Sequence, residues 1–218
     1  MLGVSAASAN PIYIGYQING GGLTLAASGS GSAIFSGTVS NVAFLITGIG
    51  SPTLAEPNLA SGSISARDNS GLALNTIKIF VSETGLTATP DFLRFGFSNN
   101  GISSAAVQVD AYLHSCSGGL CGSAIGDDVF DITPSGLAYT NSVATASGGA
   151  ATVAFPSGIT GPYSETLVYT VLLPRKGILN ADFGAKGVDV PEPLTLSLFG
   201  AGLAGVAAVR RRKQKLVA

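Results

Sequence analysis

The chain has 218 residues, of which only 11% are charged, against about 25% in an average globular protein. Residues 1–189 carry six basic and eleven acidic side chains, net −5, while residues 190–218 carry five basic and one acidic, net +4. That balance excludes nucleic-acid binding through a basic face on the body, and one His, one Met and no Trp leave little for metal or acid–base chemistry.

Residues 1–9 read as the remnant of a secretory signal peptide. Ala7-Ser8-Ala9 fits the small-residue cleavage pattern, which would make Asn10 the new N-terminus, but the basic and long apolar regions of a signal are missing. Met1 is therefore expected to be a late start, with the rest of the signal encoded upstream. From Pro11 the chain consists of short β-prone runs broken by Gly, Asn, Ser and Pro. Eleven strands are expected, at 12–18, 22–27, 33–36, 42–47, 62–67, 76–82, 93–98, 105–113, 138–143, 151–155 and 165–173. Several alternate with the period of a half-buried strand: Ile77, Ile79 and Val81 oppose Lys78, Phe80 and Ser82, and Leu167, Tyr169 and Val171 oppose Val168, Thr170 and Leu172. The pattern predicts an all-β domain over residues 10–185, an antiparallel β-sandwich of jelly-roll-like form. No fixed-period repeat supports a solenoid. After Pro174 the chain is expected to leave the sheet, make a short run over 178–183 and pass into a Gly/Lys linker. Asp68 and Glu83 are expected to pair with Arg67 or Lys78 across strands.

Three constellations could carry chemistry. Cys116 and Cys121 flank a Gly-Gly spacer, and in an exported chain two cysteines read as a disulfide. A zinc site would need more than these thiols and His114. Asp127, Asp128 and Asp131 form a carboxylate cluster that is a weak calcium candidate, lacking a complete calcium loop; a solvated acidic turn is the expected reading. Asp110 and His114 would share a strand face about 13 Å apart, and no Gly-x-Ser-x-Gly elbow accompanies them, so a hydrolase is not expected.

Residues 186–218 form a linker and tail. Val190-Pro191-Glu192-Pro193 precedes an uncharged run from Leu194 to Val209, and Arg210, Arg211, Arg212 and Lys213 follow. As a helix the 16-residue run would span about 24 Å, just short of a hydrocarbon core of about 30 Å, so a single transmembrane helix is expected. The basic cluster would stay in the cytoplasm as the membrane stop. The two prolines would hold Glu192 in extended backbone at the surface. Within the run, Gly200-Ala201-Gly202-Leu203-Ala204-Gly205 fits G-x-G-x-x-G, but only 13 residues follow it and no nucleotide-binding fold has room to form.

This order of elements resembles the PEP-CTERM sorting signal. The resemblance implies recognition and cutting near Pro191, Glu192 and Pro193 by exosortase, a membrane-embedded cysteine transpeptidase. It also implies transient anchoring in the inner membrane through the run from Leu194 to Val209, followed by transfer to the cell surface or extracellular matrix. Residues 77–86 and 161–167 are similar to recurring stretches of PEP-CTERM ectodomains, which implies a β-sandwich and no reaction. The expectation is a non-enzymatic protein without cofactors, with a structural or interaction role in an exopolysaccharide or biofilm matrix and exopolysaccharide as a candidate partner. The alternative is a glycan-binding module or hydrolase on the same scaffold, which should group aromatic side chains on one face.

Overall fold

A computed structural model of the protein describes residues 9–51, 54, 57–69, 75–102, 106–116, 121–122, 125, 129–143, 149–189 and 199. Residues 1–8, Asp127, Asp128, the Pro191-Glu192-Pro193 motif, the apolar run apart from Phe199, and the stop Arg210, Arg211, Arg212 and Lys213 lie outside the described residues.

The second half of the body folds as one long hairpin laid back on itself. Its strands are β5 (Asn58–Asp68), β6 (Asn75–Leu86), β7 (Phe92–Ile102), β8 (Val107–Ser115), β9 (Leu137–Val143), β10 (Gly149–Ala154), β11 (Tyr163–Leu173) and β12 (Ile178–Val188). Starting from the tip, β8 pairs with β9, β7 with β10, β6 with β11 and β5 with β12, all antiparallel. Curling this ribbon adds the β8–β11 and β7–β12 pairings, which completes an eight-stranded jelly roll. The first half supplies two hairpins, β1 (Pro11–Ile18) with β2 (Thr24–Ser30) and β3 (Ser32–Val39) with β4 (Val42–Ile49). They extend the two sheets to β2-β1-β6-β11-β8-β9 and β10-β7-β12-β5-β4-β3.

Alternation sets the core. Ile77, Ile79 and Val81 of β6 are fully buried between the sheets, as are Leu167, Tyr169 and Val171 of β11. Each such aliphatic side chain contributes about 1.5–3 kcal/mol, and a one-residue slip would turn all of them outward and bring Lys78 and Ser82 in. Each of the eleven expected strands is present, most of them longer than expected, and β12 is a twelfth. The clearest difference is β12, which continues through Ala185, Lys186 and Gly187 to Val188, where a linker was expected, and lies between β7 and β5. Asp68 and Glu83 do not pair with Arg67 or Lys78. Neighbours one or five apart on a strand point to opposite faces. Asp68 instead accepts from Asn75 Nδ2 at 3.2 Å, and Glu83 from Asn10 Nδ2 at 3.1 Å and the Ser51 N–H at 2.9 Å.

The outer face of the first sheet is closed by the chain at the hairpin tip. Val129 and Phe130 fold over Tyr13, Phe80 and Val168 to form a second apolar cluster, with the Phe80 and Phe130 rings 5.6 Å apart. Gly15 makes this possible, because a Cβ there would stand 2.7 Å from the Phe130 ring.

A polar tie joins the two sheets through the core. Ser61 Oγ of β5 donates to the Phe183 carbonyl at 2.8 Å and accepts from the Phe183 N–H at 3.0 Å, beside the register shift between Ala181 and Phe183. Its third partner is the hydroxyl of Tyr169 on the opposite sheet. Because the Ser61 proton is spent on Phe183, Tyr169 is the donor, and burial raises its pKa well above the ordinary tyrosine range. Ser61→Ala would strand three buried polar groups, each worth about 1–3 kcal/mol, whereas Tyr169→Phe removes one hydroxyl worth about 1 kcal/mol. Urea denaturation should therefore find Ser61→Ala the more damaging by at least twofold in free energy, and equal losses would show that the tie is not centred on Ser61.

Candidate functional site

The tip of the hairpin brings together Cys116, Cys121, His114 and Asp131. Cys116 and Cys121 are joined by a disulfide with Cα atoms 4.7 Å apart, and the sulfur of Cys121 accepts the Gly85 N–H at 3.0 Å. The bridge thereby docks the tip against the end of β6. His114 Nδ1 lies 3.4 Å from Asp131 Oδ2, and Asp131 Oδ1 accepts the Thr133 N–H at 2.9 Å. Both Asp131 oxygens are thus occupied by the local fold. Asp127 and Asp128, the other two members of that cluster, lie outside the described residues. Among the described residues no group of three His, Cys, Asp or Glu side chains is placed to hold a metal.

Asp110 and His114 share the outer face of β8 but serve separate partners. Asp110 accepts from Gln108 Nε2 at 3.0 Å and from Thr140 Oγ1 at 2.6 Å. Its carboxylate sits near Tyr112, whose hydroxyl pKa is raised first by burial and then by the Asp110 charge. The Asp110 contacts brace β8 against β9, while His114 turns to Asp131 and to the Thr133 hydroxyl, which lies 3.4 Å from its ring nitrogens.

The outer face of the second sheet is open, and its central strands form a cleft of about 570 Å³. Register places its lining in rows. Arg94, Lys186 and Asn58 face one another across β7, β12 and β5, and Gly96, Gly184 and Ala60 form the next row. Two residues further along, Ser98 Oγ donates to both oxygens of Asp182 at 2.8 Å. The middle row lacks side chains beyond a methyl group, so a ligand could lie directly on the sheet. Arg94 and Lys186 are like charges directly opposite on adjacent strands, a destabilising arrangement that an anion would relieve. No aromatic side chain projects into the cleft; Phe183, which contributes to its lining, is 1% exposed and points into the core. No separate signal in the sequence marks this cleft, since Arg94 and Lys186 are 92 positions apart and meet only through the register of β12.

The disulfide constrains the tip locally, so its state can be read without unfolding ambiguity. Thiol labelling of denatured, unreduced protein recovered from the envelope should modify neither Cys116 nor Cys121, and two labelled thiols would show the bridge absent from the mature protein.

No helix among the described residues is long and apolar enough to cross a membrane. No curated protein matches the chain. Among solved structures, the adhesin domain of Epf from Streptococcus pyogenes is 16% identical with a TM-score of 0.42 and overlaps 83% of this chain, which spans 60% of that one. TmCBM61, solved in complex with beta-1,4-galactotriose, is 10% identical with a TM-score of 0.31, over 61% of this chain and 90% of that one. Carbohydrate-binding modules of the beta-sandwich superfamily with promiscuous specificity give 9% identity and a TM-score of 0.27, over 85% and 87%. With all three below 0.5, no ligand is transferred from them. The family model that matches is the PEP-CTERM protein-sorting motif, over residues 189–213 near the C-terminus, so the chain carries that motif there.

Proposed function

We propose that this chain is an exosortase substrate whose β-sandwich is released to the cell surface or extracellular matrix, where it has a structural or interaction role rather than a catalytic one. The observation that carries the reading is the junction. β12 ends at Val188 and the sorting motif begins at residue 189, so a cut near Pro191, Glu192 and Pro193 takes nothing from the sheet. Before the cut, the apolar run from Leu194 to Val209 and the stop of Arg210, Arg211, Arg212 and Lys213 would hold the body at the inner membrane. Mass spectrometry of the mature C-terminus from native cells should find an end near residues 191–193, and in cells lacking the exosortase the chain should extend to Ala218. An intact Ala218 on surface protein, indifferent to the exosortase, would leave a permanent anchor and end this reading.

The alternative of a glycan-binding module gains support from the cleft, in a restricted form. Without aromatic stacking, contact with a neutral sugar would rest on scattered hydrogen bonds, whereas the Arg94–Lys186 row offers two exposed cations to carboxylates. An acidic exopolysaccharide is the partner that fits. Binding to a polyuronate should weaken about tenfold or more in the Arg94→Ala, Lys186→Ala double variant and fall with added salt. Equal binding to a neutral glucan would remove the cleft from the account.

A further inference from the structure

Two glutamates lie side by side inside the sandwich. Glu83 of β6 and Glu165 of β11 are paired directly across the ladder, which puts their Cβ atoms about 5 Å apart. Their row continues to Ile12 on β1 and Leu113 on β8, so no positive side chain stands in it. Both side chains face inward, on the same side of their strands as Val81 and Leu167, and both residues are 0% exposed. Glu83 is held from one side by Asn10 and the Ser51 N–H. Gly50 adjoins it closely, because a Cβ there would lie 2.2 Å from Glu83 Oε2. Neither oxygen of Glu165 has a hydrogen-bond partner.

Two adjacent carboxylates cannot both be ionised in an apolar interior without a counter-charge. Burial first, and Glu83 second, push the Glu165 carboxyl up to about 8. A carboxyl whose pKa is raised on folding binds extra protons in the native state, so the bare pair costs stability as pH rises from the ordinary glutamate range towards 8. A proton shared between the two carboxyls removes only one of the two charges, whereas a hard divalent cation balances both and takes carboxylate oxygens directly.

We infer that Glu83 and Glu165 form a calcium site between the sheets, with carboxylate oxygens as ligands and the Asn10 and Gly50–Ser51 backbones as its wall. Two carboxylates supply up to four oxygens of the six to eight that calcium takes, and amide, carbonyl or water oxygens supply the rest. Affinity belongs in the range of extracellular modules, on the order of 10⁻⁴ to 10⁻³ M. The site does not include Asp131, whose oxygens face His114 and the Thr133 N–H, and it does not depend on the proposed processing of the tail.

The test uses the full chain in detergent, stripped with a chelator. Calcium at ten times its Kd should raise Tm by about 3 to 6 °C. Terbium should luminesce on tyrosine excitation, because Tyr163 lies two residues from Glu165 on the same strand face and the chain has no Trp, and calcium should quench that signal by displacement. Glu165→Gln, which keeps shape and removes one charge, should abolish both responses while melting higher than the calcium-free parent at pH 8. Glu83→Gln should do the same if it folds, and Glu165→Gln decides alone if it does not. Asp128→Asn should leave both responses intact. Responses that survive Glu165→Gln, responses lost in Asp128→Asn, or no response in the parent would each overturn the site.

Discussion

The position of β12 constrains everything else in this molecule. The last strand of the body is not an edge but lies between β5 and β7, so the second sheet has no centre until the chain has been delivered as far as Val188. Its partners are far away in sequence, and such non-local pairings close slowly because loop entropy is lost before contacts compensate for it. In an exported chain this ties completion of the fold to the end of translocation, when the segment just ahead of the sorting motif emerges. It also fixes where processing is tolerable. Removing residues upstream of Val188 would open the middle of a sheet, while removing those beyond it leaves every ladder bond in place.

The two outer faces then take different parts. A sheet face left bare must be polar or covered, and the first sheet is covered by the return of the hairpin tip, with Phe130 seated over Gly15 and held by the Cys116–Cys121 bridge docking on Gly85. The second sheet is left bare and polar, and its glycine row at Gly96 and Gly184 lowers the floor between Arg94, Lys186 and Asp182. His114 and Asp131, which looked like chemistry in the sequence, belong to the covered side, where they stitch the tip. The open side is built from residues that individually signal nothing.

The period-two alternation was legible because apolar burial dictates it; all eleven expected strands exist, and the long hairpin order follows from their pairing. What the sequence concealed were polar residues inside strands. Glu83-Thr84-Gly85 at the end of β6 and Tyr163-Ser164 at the start of β11 look like turn sequence, so both strands were expected to be shorter. Gly184, Lys186 and Gly187 made the end of β12 look like a linker for the same reason, since a glycine that clears a cleft and a glycine that relaxes a loop are written alike. The Ser61–Tyr169 tie was hidden because its members are 108 positions apart and neither is unusual alone. The sorting tail was legible throughout, because its order of prolines, apolar run and arginines is itself the signal and needs no tertiary context.

The polar groups of the interior divide according to whether the protein satisfies them. Ser61 sits beside a register shift in β12, and its hydroxyl serves both the Phe183 N–H and carbonyl while accepting from Tyr169. That network is complete, so it specifies how the sheets face one another and leaves nothing for a ligand to do. Glu83 and Glu165 are equally buried, but donors such as Asn10 and the Ser51 N–H reach Glu83, and neither oxygen of Glu165 has a hydrogen-bond partner. A glutamine at position 165 would serve packing as well and avoid the repulsion, since a buried charge without a partner is among the costliest features a core can hold. The difference between the two sites lies in stoichiometry: donors and acceptors balance around Ser61, and negative charge is in excess around Glu165. That excess is met either by a proton, which the raised Glu165 carboxyl holds up to about pH 8, or by a cation, and only the cation balances both carboxylates.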